Sequence, residues 1–228
     1  MSNDSLGDRM KRYERVSTQS LMPRTPILIR VDGRAFHTFT KGMKRPFDPS
    51  IMASMDFAMV QTAKEMAGCV LAYTQSDECS FLLRDDANLD TQAWFGGNRD
   101  KIISIAASTF TAYFNSHFHL YNPLETKIAT FDARAFSIPI HDAPNYFVWR
   151  QHDWERNSLQ MLTRSFFTHS DLVNKNRADM HEMLHGIGEN WADLSHREKN
   201  GAWFCEGRVF SNCIGKYTAF ADMINQED

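Results

Sequence analysis

The alternation of apolar and polar positions along the 228-residue chain predicts a series of short strands and longer helices. Residues 27–31 form a β-branched, apolar run that ends before Gly33, which is typical of a buried strand. Asp48 followed by Pro49 marks a helix start, and methionines at helical spacing continue the pattern as far as Gly68. The first predicted strand is therefore followed by a helix.

The next segments predict a hairpin, a second helix and a fourth strand. Two apolar runs, 69–74 and 79–83, are separated by a polar tip, as in a β-hairpin. Apolar residues recur at helical spacing over 100–117, and residues 130–138 alternate as in a strand. The order β-α-β-β-α-β predicts an α+β protein of the split-βαβ, ferredoxin-like type. Right-handed crossover would place the hairpin tip at the sheet edge where the first strand ends.

The C-terminal third has a different, mainly helical pattern. Helices are predicted over 146–167 and 177–189, and a late strand over 202–210. We find no internal repeat and no flexible linker in the sequence. We therefore expect two parts, an α+β unit at residues 1–140 and a C-terminal helical and strand extension at residues 141–228 packed on it.

Composition and charge exclude several classes of protein. With 43% apolar and 23% charged residues, the chain can bury a core. No apolar run approaches the roughly 18 residues of a membrane span, and the N-terminus lacks the apolar segment of a signal peptide, which predicts a cytoplasmic protein. A net charge of −3 predicts that nucleic acid would be held by a local basic patch. The cysteines form no CxxC pair and are expected as buried reduced thiols: Cys69, Cys79, Cys205 and Cys213.

Two acidic motifs stand at the ends of predicted strands. Asp32 follows the first strand, and Asp77 and Glu78 lie at the hairpin tip. Each motif alone is also ordinary turn chemistry. Together at one sheet edge, the carboxylates provide what a pair of Mg²⁺ ions needs to hold a nucleoside triphosphate, and the amides of residues 33–37 can cradle phosphate oxygens. This combination favours a nucleotidyl-transfer site over a non-catalytic module that only senses nucleotides.

A rival pattern is found in the C-terminal third. His181, Glu182 and His185 fit HExxH, the zinc-binding pattern of metalloproteases. The longer form of that pattern requires a further histidine where this chain has Trp191. A zinc metalloprotease is therefore the distant alternative.

Four motifs in order resemble the tRNA-histidine guanylyltransferase family, which includes the guanylyltransferase-like 3′-to-5′ RNA polymerases. They are Arg30-Val-Asp-Gly-Arg-Ala-Phe-His37, Ala72-Tyr-Thr-Gln-Ser-Asp-Glu-Cys-Ser80, Trp94-Phe95 followed by Lys101, and Trp149-Arg-Gln-x-Asp153 with Asn157. The resemblance extends from about Tyr13 to Phe210. It implies a polymerase palm at residues 1–140, a homotetramer, and Mg²⁺-dependent addition of nucleotides to the 5′ end of tRNA. The 5′-monophosphate would be activated with ATP or GTP and then attacked by the 3′-OH of the incoming nucleotide.

The resemblance also implies roles for individual residues. Asp32, the Gly33 carbonyl and Asp77 would bind two Mg²⁺ ions, and Glu78 would be a further essential catalytic acid. The nucleotide-binding residues would be Asp32, Gly33, Arg34, Ala35, Phe36, His37, Lys44, Arg45, Ser76 and Asp77. The candidate RNA contacts are Arg30, Arg99, Lys101, Arg150, Arg156 and Asn157.

One departure from the family pattern concerns the substrate. Eukaryotic members specific for tRNA-histidine carry His-Ile-Asn-Asn where this chain has Glu155-Arg156-Asn157-Ser158. The asparagine is kept and the histidine is replaced by glutamate. This favours template-dependent repair of tRNA 5′ ends, with strict addition of the extra guanosine to tRNA-histidine as the alternative.

Overall fold

The structure, a computed structural model, describes residues 5–212 and 215–225. The strands within these ranges are β1 Ile27–Gly33, β2 Cys69–Gln75, β3 Glu78–Leu83, β4 Phe131–Ser137, β5 Ala202–Cys205 and β6 Arg208–Phe210. The α-helices are α1 Leu6–Val16, α2 Phe36–Phe39, α3 Pro49–Glu65, α4 Arg99–Tyr121, α5 Ala143–Phe166, α6 Arg177–Gly186, α7 His196–Asn200 and α8 Tyr217–Ile224. Single 3-10 turns lie at Trp94–Gly97, Ser170–Leu172 and Trp191–Asp193.

The strands form one sheet in the order β4-β1-β3-β2-β5-β6, and all neighbouring strands are antiparallel. Helix α3 lies between β1 and β2 along the chain, and α4 lies between β3 and β4. This mixture of helices and antiparallel strands confirms the predicted α+β class. The late strand predicted over 202–210 is corrected to two strands, because the chain reverses at Glu206 and Gly207, which both have positive φ angles. Helix α1, with no buried residue, was not predicted.

Helix α3 begins where the sequence predicts it. The Asp48 carboxylate accepts hydrogen bonds from the main-chain N–H groups of Ser50 at 2.9 Å and Ile51 at 3.3 Å, and Pro49 occupies the first helical position. Helices α3 and α4 pack against each other and cover one face of the sheet, where alternate strand residues such as Ile29 and Phe81 are buried.

The other face of the sheet is covered by α5 and α8. Leu28 and Leu82 from the central strands pack there with Phe147 and Phe220 from the two helices. The C-terminal residues also enter the sheet itself, because β5 pairs with β2. The predicted boundary between residues 140 and 141 falls in the turn before α5, and the division into two domains stays a prediction.

The described cysteines are free thiols, and Cys79 and Cys205 are buried while Cys69 is partly buried. Burial raises the pKa of Cys69 to about 12, so this thiol stays protonated at neutral pH. Cys213 lies outside the described residues. No helix in the described ranges is long and apolar enough to cross a membrane.

Candidate nucleotide and metal site

The two acidic motifs meet where β1 and β3 pair. Asp32 lies directly opposite Glu78 in the antiparallel register. One residue further, the main-chain N–H of Gly33 donates a hydrogen bond to the carbonyl oxygen of Asp77 at 2.9 Å. The structure thus brings together Asp32, Gly33, Asp77 and Glu78 where the end of β1 meets the start of β3, as the topology predicts.

Asp77 lies at the hairpin tip and is partly buried. Burial raises the pKa of its carboxyl group, and the nearby Asp32 charge adds to the rise, while the Ser76 hydroxyl donates to Oδ1 at 2.9 Å and opposes it. Burial thus disfavours the ionised form of Asp77 in the absence of a bound cation. A divalent cation would supply positive charge that stabilises this form.

The candidate metal donors here are oxygen atoms: the carboxylates of Asp32 and Asp77 and the Gly33 carbonyl. Within residues 5–212 and 215–225, no three His, Cys, Asp or Glu side chains converge as a complete metal-ligand group. A metal ion bound here would need further oxygens, such as those of a bound phosphate. Mg²⁺ is typically bound in this way, by one or two carboxylates and substrate phosphates.

Glu78 differs from the other two acids because two arginines, Arg30 and Arg150, contact its carboxylate. Arg150 on α5 donates from Nε to Oε1 at 2.7 Å and from Nη2 to Oε2 at 2.9 Å. Arg30 Nη2 lies 2.8 Å from Oε2 and 2.7 Å from Asp32 Oδ2. Burial raises the pKa of Glu78, and the two guanidinium groups oppose the rise.

The RNA contact expected at Arg150 stays a prediction, and the structure places this side chain in the protein interior. Arg150 is only 5% exposed, and besides Glu78 its Nη2 donates to Asp153 at 3.0 Å. The guanidinium is thus bound by carboxylates of its own chain. Arg30 is likewise held between Asp32 and Glu78. Both arginines therefore belong to the ion-pair network behind the site.

The other predicted RNA contacts lie on the surface of two helices. Lys101 is exposed near the start of α4, and Arg99 is partly exposed and donates to Gln19. On α5, Arg156 is exposed and pairs with Asp153, and Asn157 donates to the same carboxylate at 3.4 Å.

A cavity of about 620 Å³ opens beside the acidic motifs. Its volume lies within the roughly 300–1,000 Å³ common for small-molecule sites. The predicted nucleotide-binding residues that line it are Gly33, Ala35, Phe36, His37, Lys44, Arg45, Ser76 and Asp77. Asp32 is not part of the wall, and Arg34 is exposed, with its main-chain N–H donating to the Thr130 carbonyl at 2.9 Å.

The C-terminal extension also contributes to the cavity lining. Its lining residues are Trp154, Met161, Arg164 and Ser165 of α5 and Arg197 of α7. Arg197 is held in place by Asp56 of α3, with 2.7 Å between Nη2 and Oδ1. The sequence reasoning missed these residues, because only the tertiary packing of the C-terminal extension brings them to the cavity.

The backbone of the site has a close approach at Gly33. A Cβ atom at this position would lie 2.5 Å from Cδ2 of Phe36 and 3.0 Å from Cβ of Asp77, so only glycine fits without movement. Two neighbouring residues, Ala35 and Ser76, have φ angles of 49° and 47°, in the left-handed region. Such backbone costs energy for residues with a side chain and is concentrated at functional sites.

The HExxH pattern lies away from this site, on α6. The ring of His181 packs edge-on against Trp191, with 6.0 Å between centroids, and burial together with the nearby Arg177 charge lowers its pKa. Trp191 in turn donates from its indole nitrogen to Ser158 at 2.9 Å. In the part of the chain that the structure describes, no third ligand joins His181 and His185.

Comparisons with known proteins point to one family. The family model Thg1, described as tRNAHis guanylyltransferase, matches residues 7–139. The tRNA(His) guanylyltransferase of Schizosaccharomyces pombe is 31% identical over 215 residues, which cover 86% of this chain and 79% of the relative. The chain covers a smaller share, 53%, of the guanylyltransferase of Neurospora crassa.

Solved structures give the same result. A bacterial tRNA(His) guanylyltransferase (Thg1)-like protein in complex with ATP is 35% identical, with a TM-score of 0.93 over 97% of this chain and 100% of the other. A structure of such a bacterial protein in complex with GTP is 33% identical over the same shares, with a TM-score of 0.83.

Proposed function

Because the chain belongs to the tRNAHis guanylyltransferase family, whose members are nucleotidyltransferases, we propose that it adds nucleotides to the 5′ end of tRNA in the 3′-to-5′ direction. One observation carries this proposal. Asp77 lines a cavity of about 620 Å³, and Asp32 lies beside it, opposite Glu78 on the paired strand. The same cavity is lined by Gly33, Ala35, Phe36, His37 and Ser76.

The sheet supports the interpretation as a polymerase palm. The strand order β4-β1-β3-β2, with antiparallel neighbours and helices α3 and α4 on one face, supports the proposal of a split-βαβ unit. In this arrangement the end of β1 and the tip of the β2-β3 hairpin form one rigid platform. Carboxylates on such a platform keep their separation when substrates bind.

We assign the charged groups by their position around the cavity. Asp32, the Gly33 carbonyl and Asp77 would hold two Mg²⁺ ions. The exposed cations Lys44 and Arg45 line the cavity and would offset the charge of the triphosphate. When bound, Mg²⁺ polarises phosphoryl oxygens. The main-chain amides after β1 and the Ser76 hydroxyl would orient the phosphate groups.

The substrates follow from the family chemistry. The 5′-monophosphate of tRNA displaces pyrophosphate from ATP or GTP, and the 3′-OH of the incoming nucleotide then displaces the nucleoside monophosphate. The ATP and GTP complexes of the bacterial Thg1-like proteins support the use of both nucleotides. A homotetramer is part of the proposal, and light scattering of the purified protein tests it.

Within the family we propose template-dependent repair of tRNA 5′ ends. Glu155 stands where the members specific for tRNA-histidine carry histidine, and its Oε1 accepts from Gln151 at 3.4 Å within α5. In repair, base pairing in the RNA selects the nucleotide, so the protein only has to hold the backbone and the 5′ end. Strict addition of an untemplated guanosine remains the second candidate.

The test uses 5′-monophosphorylated tRNA, either complete or lacking its first nucleotide, with labelled ATP and GTP. We expect the truncated tRNA to be extended faster, and the nucleotide added to follow a changed template base. Faster extension of untruncated tRNA-histidine by guanosine would contradict the repair proposal. GTP binding without any labelled product would instead identify a non-catalytic module.

A matched pair of variants tests the metal site. Asp32→Asn removes a proposed ligand, and loss of that charge should lower the transfer rate by about 100- to 1,000-fold. Asp132→Asn is the control, because Asp132 lies opposite Asp32 on β4 and its side chain is 65% exposed. Equal loss of activity in both variants would contradict the assignment.

A further inference from the structure

Two carboxylates of the site share one cation. Nη2 of Arg30 lies 2.7 Å from Oδ2 of Asp32 and 2.8 Å from Oε2 of Glu78. Under the proposed function, Asp32 has to turn towards Mg²⁺. Arg30 therefore competes with the metal for Asp32 unless another anion retains it.

Glu78 is fixed on the arginine side of this network. Its side chain is 7% exposed, and the side chain of Arg150, which donates to both of its oxygens, is 6% exposed. Turning Glu78 towards a metal ion would leave the buried guanidinium of Arg150 without this partner, which is strongly unfavourable. Glu78 therefore stays with the arginines when a metal binds at Asp32.

The network also links the site to the C-terminal extension. Arg150 lies on α5, and its second acceptor is Asp153 on the same helix, at 3.0 Å. Helix α5 thus sets the position of Glu78, and Glu78 holds Arg30 beside Asp32. The side chains of Arg30, Asp32 and Glu78 lie on the sheet face that α5 covers, since Leu28 and Leu82 at alternate positions of the same strands pack there.

We propose that Glu78 is a positioning residue and not a metal ligand: clamped by Arg150, it retains Arg30 and so leaves the Asp32 carboxylate free for Mg²⁺. This inference rests on the proposed function. Without the Glu78 charge, Asp32 is the remaining partner of Arg30 in this pair, and the metal has to displace the guanidinium.

The experiment measures binding of Mn²⁺, a probe for Mg²⁺, by electron paramagnetic resonance in the presence of a non-hydrolysable GTP analogue. For Glu78→Gln we expect the Mn²⁺ dissociation constant to rise about tenfold, since Arg30 then has no second carboxylate to hold it when the metal displaces it from Asp32. In Glu78→Gln/Arg30→Gln the competitor is gone, and binding should return to within about threefold of wild type.

The double variant separates the two roles of Glu78. If Glu78 were itself a ligand, removing Arg30 would not restore binding, and an unrestored double variant overturns the inference. Arg134→Gln in the Glu78→Gln background is the matched control. Its Nη2 lies 4.0 Å from Asp32 Oδ2, but no contact links it to Glu78 among the described ion pairs. We expect it to restore less binding than Arg30→Gln, and equal restoration would also overturn the inference.

Glu78→Gln leaves Arg150 incompletely paired, so its folding is checked by circular dichroism. Arg30→Gln alone keeps the Glu78–Arg150 pair, so it tests whether Arg30 competes with the metal for Asp32 even if Glu78→Gln does not fold. We expect Arg30→Gln to bind Mn²⁺ as tightly as wild type or more tightly, and tenfold weaker binding overturns the inference.

Wild-type protein that binds no Mn²⁺ would overturn the proposed metal site as well, whereas Mn²⁺ binding without nucleotide transfer would refute only the proposed function.

Discussion

Replacing Gly33 by alanine is expected to disable the site while leaving the fold intact. The added Cβ would lie 2.5 Å from Cδ2 of Phe36 and 3.0 Å from Cβ of Asp77. Phe36 cannot move aside easily, because its ring packs against Phe39, Phe114 and Phe131 at centroid distances of 5.0, 5.7 and 5.6 Å. The hairpin tip that carries Asp77 therefore has to shift.

The size of the effect follows from these contacts. Carbon atoms in contact prefer separations of about 3.5–4.0 Å, so the Gly33→Ala clash requires movement of about 1 Å. A displacement of that size in catalytic groups lowers the rate by about 100-fold. Overpacking of a buried site also lowers the free energy of unfolding by about 1–3 kcal/mol.

The assay compares kcat and KM for nucleotide transfer to 5′-truncated tRNA and records the denaturation midpoint of each variant. Gly186→Ala is the matched control, because a Cβ at the end of α6 meets no atom within 4 Å. We expect a loss of kcat in Gly33→Ala and wild-type values in Gly186→Ala. Wild-type kcat in Gly33→Ala would refute the reasoning that the close approach at Gly33 positions Asp77.

Three further predictions concern charge. Because the pKa of Asp77 is raised, its ionised form destabilises the metal-free fold as the pH rises through that pKa. Without Mg²⁺ at neutral pH, Asp77→Asn should therefore melt at a higher temperature than wild type, and this difference should disappear below about pH 4. The transfer activity of Asp77→Asn should be lost. A lower melting temperature of Asp77→Asn at neutral pH would contradict the expected destabilisation. Lys101→Ala should weaken tRNA binding and reduce the salt dependence of binding by about one phosphate contact, whereas the control Lys64→Ala on α3 should change neither. Binding is titrated at several salt concentrations, and equal effects of the two substitutions would argue against an RNA contact at Lys101. His181→Ala should retain nearly full transfer activity, and metal analysis of the wild-type protein should find no stoichiometric zinc; zinc that this substitution removes would revive the metalloprotease alternative.

Features with a local cause were predictable from the sequence. The start of α3 is encoded by Asp48 and Pro49, and the hairpin by two apolar runs around a polar tip. Chain topology then brings Asp32 opposite Glu78 without any knowledge of side-chain packing. The split of the late strand had a signal in Gly207, whose φ of 74° suits a tight turn.

Features that depend on packing between distant segments were not predictable. Arg150 looked like a surface arginine on a polar helix, yet it is buried against Glu78. Arg164 and Arg197 reach the cavity only through the tertiary packing of the C-terminal extension. No periodic pattern in the sequence marks such contacts.

The pairing of Glu78 with Arg150 has a consequence for how the protein is made. These residues are 72 positions apart, so at usual synthesis rates the ribosome adds Arg150 roughly 4–14 s after Glu78. Strand β5, which pairs with β2, is added later still. During that interval the nascent chain contains Glu78 and Arg30 but not yet Arg150, and β2 has no strand paired on its outer side. The complete ion-pair network and sheet therefore form only after α5 and β5 have been synthesised.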